Sequence, residues 1–129
     1  MRRSLAAVDA AAAAVTRLAD GGAVHIHAGT RPATADDAPT GPLLAVLRLR
    51  SPAFAPPVAG IATAYEPTPE TDAPGSGRAG WFRVVAADGA PVFDGTVGVE
   101  MTFADPTISL GATVAVTMFT YQEPTGDDR

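Results

Sequence analysis

The chain has 129 residues, a net charge of -5, no cysteine and no lysine, so every basic residue is an arginine. This excludes disulfides, thiol chemistry and cysteine-based zinc sites, and it leaves no basic stripe for nucleic acid. One domain is expected, large enough for a real core, yet the 12 prolines and 13 glycines cut it into short pieces that suit strands and turns.

The absence of lysine and asparagine is the codon signature of a GC-rich genome, so the arginines need not mark phosphate sites. Met1-Arg2-Arg3 and the alanine-rich run after it are expected to form a helix in place of a cleaved signal, because Asp9, Thr16, Arg17 and Asp20 interrupt the run. No stretch reaches the roughly 20 apolar residues of a membrane span.

Ser4 is a helix N-cap candidate, with Leu5, Val8, Ala12, Val15 and Leu18 at three- and four-residue steps behind it. Gly21-Gly22 ends that helix, expected over about 5–19. Val24 to Ala28 reads as a first strand, with Val24 and Ile26 on one face and His25 and His27 on the other. A polar loop, 29–42, follows and is expected on the surface as a contact arm. Leu43 to Arg50 is a second strand, with Leu43, Ala45, Leu47 and Leu49 on one face. Val58 to Tyr65 reads as another, with Gly60 as a bulge. The loop 66–79, rich in Pro, Glu, Asp and Gly, is expected to be mobile or ordered by a partner.

A hairpin comes next: Gly80 to Ala86, the turn Ala87-Asp88-Gly89-Ala90, then Pro91 to Gly98. Trp81 and Arg83 share one face and Phe82 and Val84 the other; the latter pair is expected inside, leaving Trp81 against the helix or a partner. Val99 to Phe103 is expected to continue the same sheet after a bend at Gly98. Thr107 to Leu110 and Thr113 to Tyr121 supply the last strands, the latter with Val114, Val116 and Met118 alternating against Thr113, Ala115 and Thr117. The tail, 122–129, is polar and expected to fray. The fold expected is mainly β: an antiparallel β-sandwich over about 23–121, jelly-roll or immunoglobulin-like, with one N-terminal helix. A partly open barrel is the alternative.

The chemistry is sparse. His25 and His27 would have Cα atoms about 6.7 Å apart on one strand face, a spacing that suits a cupin-like metal pair. The glutamate that such a site needs nearby is missing, which favours a solvated or interface pair whose assembly would be pH-sensitive. Asp36, Asp37, Asp88, Asp94 and Asp105 read as turn or loop acids. No serine sits in a nucleophile elbow, and Gly75 to Gly80, though spelling G-x-G-x-x-G, precedes a strand and reads as a loop. Trp81 is either a sugar-stacking platform or an anchor. The interface candidates are Trp81, Arg83, Arg31, Arg48 and Arg50; no catalytic residue and no cofactor are indicated.

Five pieces, taken in order, carry a resemblance: Ala28-Gly29-Thr30-Arg31-Pro32, Thr40 to Ala45, Pro52-Ala53-Phe54, Gly80 to Val84, and Asp88-Gly89 through Asp94-Gly95-Thr96-Val97-Gly98. Together they resemble small virion proteins of tailed bacteriophages and prophages. The chain departs from that pattern at His25 and His27 and in the extra prolines Pro56, Pro57, Pro67 and Pro69. The resemblance implies a non-enzymatic protein of the virion that decorates or cements the capsid, or sits on the tail, as a homo-oligomer. Its partners would be the major capsid protein or tail proteins, with no nucleic acid and no membrane. A carbohydrate or host-surface module using Trp81, and a cupin-like metal protein using His25 and His27, are the alternatives.

Overall fold

The computed structural model describes residues 2–124. Helix α1, Leu5–Arg17, starts where expected: the Ser4 hydroxyl accepts the Ala7 N–H at 3.1 Å. Its buried stripe is Val8, Ala12 and Thr16, continued by Ala19 beyond the helix end. Leu5 and Leu18 point outward instead. Thr16 replaces Val15 in the stripe because its hydroxyl donates back to the Ala12 carbonyl at 2.9 Å, so it enters the interior satisfied. The helix closes two residues earlier than expected, and Gly21 at φ +69° turns the chain so that its N–H reaches the Arg50 carbonyl.

Eight strands follow: β1 Ala23–Ala28, β2 Leu43–Arg48, β3 Ile61–Thr63, β4 Gly77–Val85, β5 Pro91–Thr96, β6 Met101–Phe103, β7 Thr107–Ile108 and β8 Val116–Gln122. They form two antiparallel sheets that make a β-sandwich. One runs β2-β1-β4-β5 with β7 on the start of β4, and the other β3-β8-β6. Val24, Ile26, Leu47, Phe82 and Val84 of the first sheet meet Phe119 and Met101 of the second, as the alternation in β1 and β4 predicts. Phe119 stands edge-on to Phe82, with centroids 5.3 Å apart, and to Phe54 at 5.1 Å. This aromatic cluster lets a chain poor in large aliphatics fill its interior.

Four local expectations change. Val58 to Tyr65 is not one strand: Ala59 (φ +52°) and Gly60 (φ +80°) form a tight turn that brings Val58 and Ile61 into mutual backbone hydrogen bonds. Gly60 is therefore a turn residue, held by Asp9 of α1, whose carboxylate accepts its N–H at 2.6 Å. After β5 the chain does not continue its sheet but turns at Gly98 (φ +96°) and enters the other as β6. In β8 a bulge opposite Thr102 and Phe103 shifts the alternation, so Phe119 faces the core and Met118 faces out.

The segment 66–76 is the fourth. The Thr68 N–H donates to the Arg48 carbonyl at the end of β2, and Glu70 exchanges two backbone hydrogen bonds with Val114. The Glu70 carboxylate also accepts the Val46 N–H on the outer edge of β2, at 3.2 Å. The loop is thus bonded to β2 and to the segment that leads into β8 of its own molecule. The expected tail likewise begins as structure: Glu123 is buried, its N–H bonds the Gly60 carbonyl, and its carboxylate accepts the Tyr121 hydroxyl at 2.7 Å and faces Arg3 at 3.6 Å. Residues 125–129 of that tail lie outside the described residues.

Candidate functional site

The chemistry-bearing side chains gather on the face of the first sheet that points away from the core. Antiparallel register sets them in two rows: His25, Arg83 and Asp94 across β1, β4 and β5, and beside it His27, Trp81 and Thr96. The hairpin fixes the rows, because the Asp88-Gly89 turn places Arg83 opposite Asp94. The Asp88 carboxylate accepts the Ala90 N–H at 3.0 Å and Gly89 takes φ +89°.

This face is covered. The loop 29–42 leaves β1, folds back over the rows and returns as β2. Trp81 Nε1–H donates to the Thr40 carbonyl at 3.1 Å, His27 Nδ1 lies 3.2 Å from the Gly41 carbonyl, and Arg83 donates to the Asp37 carbonyl at 2.7 Å and the Thr34 carbonyl at 3.4 Å. Inside the loop, the Thr40 hydroxyl donates to the Thr30 carbonyl and the Asp37 carboxylate accepts the Thr34 N–H. The base of this lid is glycine on glycine: a Cβ on Gly80 would lie 2.0 Å from the Gly29 carbonyl oxygen, and one on Gly41 would lie 2.1 Å from that of Ala28.

Arg83 is the electrostatic centre. Its Nε and Nη2 donate to the two oxygens of Asp94 at 2.6 and 3.0 Å, a fork-to-fork pair with both side chains buried. Its guanidinium lies 5.5 Å from the centroid of the Trp81 ring, and the His27 imidazole stacks on that ring at 4.7 Å with planes 13° apart. His25 is half-buried, and that burial, with the charges of His27 and Arg83, holds its pKa below the ordinary imidazole value.

Two interface candidates therefore lie elsewhere than expected. Trp81 is 0% exposed and Arg83 5% exposed, sealed by their own lid and not by α1 or a partner. The Trp81 ring presents no open face on which a sugar could stack. The sequence pattern could not show this, because the lid is held through backbone carbonyls, and every residue type supplies one. Arg31, Arg48 and Arg50 are exposed, with Arg50 Nε–H donating to the Glu66 carbonyl at 2.7 Å. Asp94 is not a turn residue but the mid-strand partner of Arg83.

His25 and His27 do share a face, but His27 is stacked on Trp81 and tied to the lid. Among the described residues no three His, Cys, Asp or Glu side chains are grouped so as to hold a metal ion. Gly77 to Gly80 of the glycine-rich run belong to β4. Arg78, Ala79 and Gly80 line a cleft of about 570 Å³ with Gly29, Thr30, Val97 and Phe103, where Arg78 is the one charged lining residue. No helix among the described residues is long and apolar enough to cross a membrane. No protein-family model, no curated protein and no solved structure matches this chain.

Proposed function

We propose that this chain is a non-enzymatic structural protein of a tailed-bacteriophage or prophage particle, attached as a homo-oligomer to the capsid shell or the tail. One observation carries the reading. Four of the five segments that resemble such virion proteins build a single unit: Ala28 to Pro32 and Thr40 to Ala45 are the two ends of the lid, Gly80 to Val84 is the strand beneath it, and Asp94 to Gly98 supplies the carboxylate that holds Arg83. The resemblance thus follows a packed unit and not scattered surface residues.

In that unit Arg83 and Asp94 are spent on each other, and Trp81, His27 and Arg83 hold the carbonyls of the lid. Arg83, Asp94, Trp81 and His27 make a stiff, sealed face, which is the behaviour of a scaffold. The exposed Arg31, Arg48 and Arg50 leave attachment to the rim of this face, and many weak copies on a lattice would add to firm binding.

The test is particle association. Antibody raised to the purified chain is applied across a density gradient of lysate from cells that carry the gene. A fixed copy number in the particle band supports the proposal; a chain found only in the unassembled fractions overturns it.

A further inference from the structure

The His27 side chain is 6% exposed, and its Nε2 has no hydrogen-bond partner among the described residues. Its other nitrogen faces the Gly41 carbonyl. A carbonyl only accepts, so Nδ1 carries the hydrogen and Nε2 is a bare lone pair in the closed lid. A proton arriving there would create a buried N–H without an acceptor, together with a charge removed from water.

The surroundings give that charge little relief. On the same strand stands His25. From β4 come the Arg83 cation and the Trp81 ring, whose face Arg83 already approaches. From β5 comes Asp94, with both oxygens committed to Arg83. Leu43 and Leu44 of β2 bring no charge. The lid adds Arg31, Asp36 and Asp37, all exposed, and the Asp37 carboxylate is taken by the Thr34 N–H. Acid would set three cations, His25, His27 and Arg83, against the buried Asp94 and the more distant charges of Asp36 and Asp37, which reach Arg83 from the exposed lid.

We propose that the segment 29–42 is an acid-released latch, shut on the sheet while His27 is neutral and lifted when His27 takes a proton at Nε2. Lifting exposes the imidazole, the Trp81 ring and the Arg83 fork to water and frees the carbonyls of Thr34, Asp37, Thr40 and Gly41. The open form takes up the extra proton, so acidification shifts the balance from shut to open. His25 acts in the same direction, because its own proton is disfavoured while the face is covered. The inference stands apart from the proposed virion role and holds or fails without it.

Trp81 is the only tryptophan, so its fluorescence reports the latch directly. Acrylamide quenching and emission maximum are followed from pH ~8 to ~5, the span in which histidine titrates, with far-ultraviolet circular dichroism recorded in parallel. The expected result is a rise in quenching and a red shift on acidification at constant β-sheet signal, both much reduced in His27→Phe, which keeps a stacked ring without a titrating nitrogen and leaves only the contribution of His25. Quenching that stays flat, that persists undiminished in His27→Phe, or that rises only as the β-sheet signal collapses overturns the latch. If His27→Phe does not fold, proton NMR of the unaltered protein decides. A His27 that titrates while the Trp81 indole N–H stays protected from exchange overturns the proposal, and one whose titration coincides with loss of that protection supports it.

Discussion

Gly80 and Gly29 meet backbone to backbone, with room for no side-chain atom between them: a Cβ on Gly80 would sit 2.0 Å from the Gly29 carbonyl oxygen. The obstacle is backbone on both sides, so neither residue can yield by a rotamer change. Gly80→Ala is expected to cost about 3 kcal/mol, the upper range for overpacking. Gly89→Ala meets open space and only backbone strain at φ +89°, for about 1 kcal/mol. Urea midpoints of the two variants check the ordering.

The tip of the Phe82 ring lies against Gly95, its cross-strand partner; a Cβ on Gly95 would come 2.2 Å from Phe82 Cζ. Phe82 is fully buried and has nowhere to swing. Gly95→Ala is expected to destabilise by about 2 kcal/mol, and Phe82→Leu should recover part of that loss. A double-mutant cycle measures it, with a favourable coupling of about 1 kcal/mol expected for residues in contact.

Asp94→Asn leaves the Arg83 charge buried without its counter-ion, an expected loss of about 3–4 kcal/mol. Arg83→Lys is not conservative here, because one ammonium cannot serve a bidentate carboxylate and two carbonyls at once. Hydrogen exchange separates the roles: Arg83→Lys should speed exchange first at lid amides such as Asp37, whose N–H reaches only the Thr34 carbonyl, and leave the β4–β5 ladder slower.

Tyr121 is held protonated far above its ordinary range, first by burial, then by its hydrogen bond to Glu123 and that carboxylate's charge. With the folded value raised, its contribution is complete below the unfolded value near pH ~10 and is lost as pH rises through the folded one. Stability of the unaltered protein should therefore fall above pH ~10, and Tyr121→Phe should flatten that slope. Urea titrations of both proteins at neutral and alkaline pH check this.

What could be read from the sequence follows what each element depends on. The β4–β5 hairpin was legible because its turn residues, alternation and register all lie within one stretch of chain. The inward side of β1 was legible for the same reason. The helix stripe was half legible: hydrophobicity selected Leu5 and Leu18, whereas packing selected Thr16, whose hydroxyl satisfies itself. The passage from β5 to β6 across the sandwich was hidden, since nothing local to Gly98 says which sheet the chain joins next. The lid was hidden most deeply. Its polar, proline-rich composition reads as an outward arm, but its carbonyls are what Trp81, Arg83 and His27 grip.

The segment 66–76 binds the Arg48 carbonyl at one end and Val114, on the approach to β8, further along, with the Glu70 carboxylate hemming the outer edge of β2 between them. A single run of chain thereby ties the edge of the first sheet to the stretch that leads into β8. With this tie and the core that the two sheets share, heat should take the domain apart in one calorimetric step. The hem also occupies part of the rim where a foreign strand would otherwise dock, which guards β2 against edge-to-edge pairing with another chain.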